Sequence, residues 1–278
     1  MKTIGFIDYF LDEWHAEKYP AWIEAASGNR MKVVYAYGKT NVEGKLTNAA
    51  WCEKKGIQLL ESAEAVVERS DYLIVLSPDH AEHHEELSQA ALRSGKPTYI
   101  DKTFAPDRAA AARMFELAEK HGTPMYSTSA LRFAAEYTSL QLGGIESVCT
   151  MGPGRFETYA IHQVEPIVAL MGADVKQVMW TGTANTPSLI IGYADGRQAT
   201  LHQYGGDCPF SMALKTVSGQ SQYLKVESNF FGAFIDNLVH FFESGKLAVP
   251  KDQTLAIAAI LEYGRKAAET PFQWLELP

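Results

Sequence analysis

Asp71-Tyr72-Leu73-Ile74-Val75-Leu76-Ser77-Pro78 is the stretch that decides the fold class. Five consecutive apolar or aromatic residues run between an acid and a proline. A strand with one wet face would alternate polar and apolar residues. An unbroken run suits a strand covered on both faces, as in a parallel sheet with helices on either side. The neighbouring segments agree with this reading. Upstream, Thr3-Ile4-Gly5-Phe6-Ile7 and Met31 to Tyr37 read as strands, with a helix from about Trp14 to Ala26 between them and shorter helices at Thr47 to Lys55 and Ser62 to Glu68. Downstream, Glu82 to Ser94 reads as one helix ended by Gly95, a natural carboxyl-terminal cap. The strand Thr98-Tyr99-Ile100 follows, then the Ala-rich helix Arg108 to His121 capped by Asp107, then the strand Pro124 to Ser127. Strand and helix in alternation predict a Rossmann-like, doubly wound α/β domain over residues 1–130.

The pattern changes after that point. Stretches from about Ile145, then Val175 to Thr183, Ser188 to Tyr193, Ala199 to Tyr204, Ser211 to Val217 and Gln222 to Val226, read as strands with few helices between them. Ala194-Asp195-Gly196-Arg197 is a hairpin signal. A helix is expected over Pro166 to Met171, with Pro166 in its first turn, and two more over Asn229 to Ser244 and Thr254 to Ala268. The expectation is an α+β domain with a mostly antiparallel open sheet over residues 131–278.

The composition excludes several function classes. The 278 residues carry 25 Lys plus Arg against 33 Asp plus Glu, a net charge of -8. An acidic surface repels polyphosphate, so neither nucleic acid nor an anionic membrane is expected as a partner. No apolar run reaches the roughly 18 residues of a membrane span, and the apolar stretch Ile4 to Ile7 stops at Asp8, too short for a signal peptide. Cys52, Cys149 and Cys208 are odd in number and far apart, which fits a reducing cytoplasm rather than a disulfide or zinc framework.

Four segments, in order, resemble the Gfo/Idh/MocA family of sugar and cyclitol oxidoreductases. They are Asp71 to Pro78; Ala91-Leu92-Arg93-Ser94-Gly95-Lys96-Pro97 through Thr98-Tyr99-Ile100-Asp101-Lys102-Thr103; Ala160-Ile161-His162-Gln163-Val164-Glu165; and Phe241 to Lys246 with Val249-Pro250. The resemblance implies hydride transfer between a sugar-like or polyol hydroxyl and NAD or NADP, at the carboxyl ends of the first-domain strands. It implies that Lys102 orients the hydroxyl and His162 removes its proton. Carbinol oxidation needs such a division of labour: a base of near-neutral pKa and a cation beside the developing alkoxide. By the same resemblance Arg132, Glu165 and Thr158 are candidates for binding substrate, and Asp8, Tyr9, Phe10, Ser77, Pro78, His80 and Asp101 for lining the cofactor site. A homo-oligomer is also implied.

The chain departs from the family pattern where the dinucleotide's diphosphate should sit. The family's Gly-x-Gly-x-x-Gly gives the tight turn and the close backbone approach. Here the stretch reads Asp8-Tyr9-Phe10-Leu11-Asp12-Glu13, with no glycine and three carboxylates. The second strand ends Tyr35-Ala36-Tyr37-Gly38-Lys39, without an acid for the ribose. Thr158 stands where the family has Asp four residues before the histidine. His80, His83 and His84 follow Pro78; counting from Pro78 favours His80 or Glu82 as the family's histidine in this loop, and counting back from Gly95 favours His84. Such a cluster can bind metal, but a solvated helix start is the favoured reading and no metal is expected. Two other functions stay open on the same residues. One is a nicotinamide-independent acid/base or metal-assisted reaction, such as elimination or epimerisation of a keto-sugar. The other is a non-enzymatic ligand-binding protein.

Overall fold

The computed structural model describes all 278 residues, which divide into two compact units: Met1–Thr128 with Gly232–Lys251, and Ser129–Phe231 with Asp252–Pro278. Residues 232–251 thus cluster with the first unit, whereas the hydropathy pattern gives everything from 131 onward to the second.

The first unit contains β1 (Lys2–Asp8), α1 (Trp14–Ala26), β2 (Met31–Gly38), α2 (Asn48–Lys55), β3 (Gln58–Leu59), α3 (Ala63–Arg69), β4 (Tyr72–Val75), α4 (His84–Leu87), α5 (Gln89–Leu92), β5 (Thr98–Ile100), α6 (Arg108–Lys120) and β6 (Met125–Tyr126). The six strands form one parallel sheet in the order β3-β2-β1-β4-β5-β6. This is the doubly wound order, which reverses direction between β1 and β4. In such sheets ligands gather outside the carboxyl ends at that reversal. Leu73, Ile74, Val75 and Leu76 are wholly buried, as the unbroken apolar run requires. Gly5 on β1 permits close packing of α3: a Cβ there would lie 2.3 Å from Val66 and 2.4 Å from Ser70 Oγ.

Helix starts follow local chemistry. Thr47, Ser62 and Asp107 each accept a hydrogen bond from the backbone N–H three residues on, and so cap α2, α3 and α6. The single helix expected over Glu82 to Ser94 is instead a 3₁₀ turn over Ala81–His83 followed by α4 and α5, separated at Ser88.

The second unit begins with a 3₁₀ turn at Ala130–Phe133, then α7 (Ala135–Thr138), β7 (Ile145–Gly152), α8 (Phe156–Met171), β8 (Val175–Gly182), β9 (Pro187–Tyr193), β10 (Gln198–Gln203), β11 (Ser211–Thr216) and β12 (Ser221–Lys225). Helix α9 (Phe230–Ser244) runs on into the first unit and α10 (Lys251–Ala267) belongs to the second from Asp252; β13 (Trp274–Glu276) closes the chain. The seven strands are ordered β12-β11-β7-β10-β9-β8-β13, and every pairing but β7 with β10 is antiparallel. Val164, Ile167 and Val168 of α8 and Ile257, Ile260 and Leu261 of α10 join Val148, Val178, Ile191 and Leu201 of the sheet in one core.

Helix α8 corrects an expectation. It starts ten residues before Pro166, so the proline lies in the interior rather than the first turn. Its apolar flanks explain this: Phe156, Ala160, Ile161 and Val164 are all buried on the core side. Packing outweighs the one backbone hydrogen bond a proline removes.

Candidate active site

In the first unit the candidate residues gather on the loops that leave β1, β4 and β5. The centre is Asp101, wholly buried after β5. Its Oδ2 is paired with His15 Nδ1, and its Oδ1 accepts hydrogen bonds from Tyr99 Oη at 3.1 Å and from the Lys102 backbone N–H at 2.8 Å. Burial alone would raise the Asp101 carboxyl, but His15 and Lys102 hold it below the usual range. Burial alone would lower His15, but the Asp101 carboxylate holds its pKa above the ordinary value. The pair is therefore ionic, and it ties the first turn of α1 to the end of β5. Asp101, a candidate for contact with cofactor, is turned inward and used up by protein partners.

Glu13 stands at the N-cap of α1. Its carboxylate accepts from His15 N at 2.6 Å and from Ala16 N. Asp8 is buried behind it: Oδ1 accepts from Tyr9 N at 2.7 Å, and Oδ2 has no partner. Burial, then the neighbouring Glu13, pushes the Asp8 carboxyl well up. Burial also pushes Glu13 up to about 7, His15 opposing the shift and Asp101 adding to it.

The loop after β1 is fastened on two further sides. Asn48 Oδ1 accepts from Leu11 N at 2.9 Å while its Nδ2 donates to Gly38 O and Thr40 O. Gly38 leaves room for this, since a Cβ there would fall 2.4 Å from the Asn48 amide. Tyr9 stacks on His83 with ring centroids 3.9 Å apart, joining the loops after β1 and β4. Phe10 and His80 pack edge-on at 6.3 Å. Ser77 has φ +91°, a strained conformation for a residue with a side chain, and it turns the chain sharply after β4. The next carbonyl, Pro78 O, accepts from Lys102 Nζ at 3.1 Å, and Asp79 Oδ1 lies 3.3 Å from the same ammonium.

The three histidines of this region do not converge. His84 is fully buried, its Nδ1 donating to Phe104 O at 3.0 Å, and burial lowers its pKa. His80 and His83 stay beside Tyr9. No group of three or more His, Cys, Asp or Glu side chains is arranged to hold a metal ion.

In the second unit the candidates lie on one stripe of α8. Thr158, His162 and Glu165 are spaced i, i+4, i+7 and so share a face. His162 is half-buried, with Nδ1 2.7 Å from Ser129 Oγ. Glu165 is buried within the helix. Its Oε1 accepts from Ser129 N at 3.1 Å and its Oε2 from Arg132 Nη1 at 2.8 Å. Arg132 also donates to Gln253. Glu165 and Arg132 thus fix Ser129, and Ser129 fixes the ring of His162. His202 and Ser188 form a separate pair at 2.7 Å, and burial lowers the His202 pKa. His15, Ser129 and the capping role of Glu13 were not read from the sequence. Ser129 carries no motif, and His15 meets its partner 86 positions away.

Residues 13–128 match the oxidoreductase family with an NAD-binding Rossmann fold, the Gfo/Idh/MocA family. NAD is the cofactor of the family's Rossmann fold, in agreement with the nicotinamide expected from the sequence. No curated protein sequence matches the chain. Solved structures share its fold over nearly the whole length. Myo-inositol 2-dehydrogenase from Lactobacillus plantarum is 15% identical with a TM-score of 0.78, covering 100% of this chain and 99% of that one. A probable dehydrogenase from Thermotoga maritima is 15% identical at TM-score 0.80, covering 99% and 98%. The WlbA dehydrogenase from Bordetella pertussis, solved with NADH and UDP-GlcNAcA, is 14% identical at 0.77, covering 99% and 98%.

The turn after β1 is unusual as a seat for that cofactor. A diphosphate would need backbone N–H donors at the amino terminus of α1. Two of those donors, on His15 and Ala16, are taken by the chain's own Glu13. Asp8 adds a second carboxylate. In this conformation the turn does not fit a diphosphate in that seat.

Proposed function

We propose that the chain is an oxidoreductase moving hydride between a sugar-like or polyol hydroxyl and NAD or NADP. The observation that carries this reading is His162, a half-buried imidazole whose Nδ1 is set by Ser129 Oγ at 2.7 Å. A ring whose direction is set by a hydroxyl suits a general base that takes and returns a proton at a fixed atom. His162 would hold the proton leaving the substrate hydroxyl. Lys102, its ammonium kept in place by Pro78 O and Asp79, would stabilise the alkoxide as it forms. Glu165 and Arg132 act as positioning residues by fixing Ser129, and Thr158 presents a hydroxyl one turn before His162. A nicotinamide, when bound, would supply the hydride acceptor.

Purified protein incubated with a panel of polyols and sugars plus NAD⁺ or NADP⁺ tests this. Reduced nicotinamide should appear, and Lys102→Ala and His162→Ala should each slow it by about 10²–10⁴-fold with unchanged circular dichroism. Near-wild-type rates in either variant would remove that residue from the mechanism.

A nicotinamide-independent acid/base reaction on a keto-sugar is the second reading. Glu13 in the diphosphate seat is the observation that favours it. The substrate is taken to be small and sugar-like in either case. Three free cysteines support a cytoplasmic location, and self-association as a homo-oligomer is part of the proposal, to be read from sedimentation equilibrium.

A further inference from the structure

Helix α1 is 13 residues long and follows β1, one of the two strands at the strand-order reversal between β1 and β4. In a Rossmann fold the amino terminus of that helix attracts an anion, by the positive end of the helix dipole and by unpaired amides. This chain already supplies the anion. Glu13 Oε2 accepts from His15 N and Oε1 from Ala16 N, the contacts an outside phosphate oxygen would make.

The surroundings show that the arrangement is built in and is under electrostatic tension. Asp8 lies behind Glu13, buried to 1% exposure, with Oδ2 unpartnered. An orphaned carboxylate oxygen beside a second carboxylate wants either a proton or a cation. The charged and titratable groups near Glu13 are Asp8 and Asp12 on its own loop, His15 and Tyr19 on α1, and Asp101, Lys102 and Tyr99 at the β5 end. Among them only His15 and Lys102 carry positive charge, and both already face Asp101. The loop is clamped by Asn48 on Leu11 N, by the Tyr9–His83 stack, and by Lys39 N and Thr40 N donating to Asp8 O and Tyr9 O. Lys39 Nζ in turn binds the Glu86 carboxylate at 2.5 and 2.7 Å, tying the loop after β2 to α4.

We infer that Glu13 is a built-in competitor for the anion seat of α1: a diphosphate group gains the His15 and Ala16 amides only by displacing the Glu13 carboxylate. The inference rests on the proposed use of NAD or NADP for its biological meaning, but not for its chemistry. A free pyrophosphate competes with the same carboxylate for the same two amides. The proteins compared are wild type, Glu13→Ala and Glu13→Gln. The Ala variant opens the seat and removes the charge. The Gln variant keeps an oxygen acceptor at the cap and loses only the charge, so it stands in if the Ala variant does not fold.

Two measurements are made on the full chain. Thermal unfolding with and without inorganic pyrophosphate should show stabilisation of Glu13→Ala well above that of wild type, with Glu13→Gln between them. Calorimetric titration with NADH and NADPH should give a Kd at least about tenfold lower for Glu13→Ala than for wild type, since each bond to a charged group is worth about one to two decades of affinity. Equal pyrophosphate stabilisation in wild type and both variants would overturn the inference, as would equal or weaker NADH and NADPH binding after Glu13→Ala. The two proposals fail differently. Pyrophosphate gain in Glu13→Ala without nicotinamide-linked turnover in any protein would retain the competitor and remove the oxidoreductase. Turnover with no difference in pyrophosphate or dinucleotide binding would do the reverse.

Discussion

His15 in the first unit and His162 in the second are held in opposite ways. His15 is buried against the Asp101 carboxylate, and the pair is ionic, each partner holding the other in its charged form. His162 leans on a neutral hydroxyl, with its carboxylate, Glu165, one residue removed and already neutralised by Arg132. The difference separates two uses of one side chain. A charged buried pair fastens elements: α1 cannot leave the end of β5 without exposing or orphaning Asp101. A half-buried ring on a hydroxyl keeps a fixed direction, which suits it to proton transfer.

The sharpest way to break this contrast is to remove the charged partner. Asp101→Ala leaves His15 buried without its anion and removes acceptors from Tyr99 and Lys102 N. Breaking a buried pair from one side costs about 3–5 kcal/mol, so Tm should fall by roughly 10 °C or more. A change of only a degree or two by calorimetry would show that the pair does not fasten α1. Glu165→Ala probes the second unit in the same way. It leaves Ser129 N without the Glu165 oxygen and Arg132 with Gln253 but without its carboxylate, and a loss comparable to that of Asp101→Ala is expected, together with a slower proton transfer through the released His162.

Ser129→Ala is gentler on the fold. The hydrogen bond to His162 and the longer one accepted from Leu131 N disappear, each worth about 0.5–1.5 kcal/mol, and the ring loses its set direction. The expected signature is a fall in kcat larger than any change in KM, with little change in Tm; equal loss in both kinetic constants would mean Ser129 binds substrate instead.

The smallest effect is in the pH dependence of stability. Glu13 has its pKa raised to about 7 from an ordinary 4.5. A carboxyl raised in the folded state contributes stability that is full below its unfolded pKa and is lost as pH rises through the folded one. Asp101 runs the other way: its contribution is present above its unfolded pKa and is lost as pH falls through the lowered one. His15, raised, contributes below its unfolded pKa and loses that contribution as pH rises through the folded value. Removing the Glu13 charge should therefore make Glu13→Gln gain Tm relative to wild type between about pH 5 and about pH 8. A difference that is flat or falls over that range would contradict the raised pKa.

Much of the first unit is legible in the sequence because its signals are local. The wholly apolar Leu73-Ile74-Val75-Leu76 is a buried central strand, and Thr47, Ser62 and Asp107 cap the helices they precede. The short edges β3 and β13, two and three residues long, carry no period to read. Pro166 misled because its position in the chain says nothing of the apolar face that buries the turns before it. At the candidate site, Lys102 and His162 are visible through their motifs. Glu13 is visible as charge in the wrong place for a diphosphate, but not as a helix cap. The partners that set the chemistry are not visible: Asp101 for His15 and Ser129 for His162 lie 86 and 33 positions away, distances no spacing rule covers.

The most direct measurement is the pH profile of kcat/KM for nicotinamide-linked oxidation of a polyol, wild type against His162→Asn. The expected result is a wild-type rate that rises through an ionisation, and a variant about 10²–10⁴-fold slower in which that ionisation is gone. A variant that keeps both the rate and the ionisation would contradict His162 as the base. So would a wild type that reduces neither NAD⁺ nor NADP⁺ with any polyol, yet converts a keto-sugar in the absence of both.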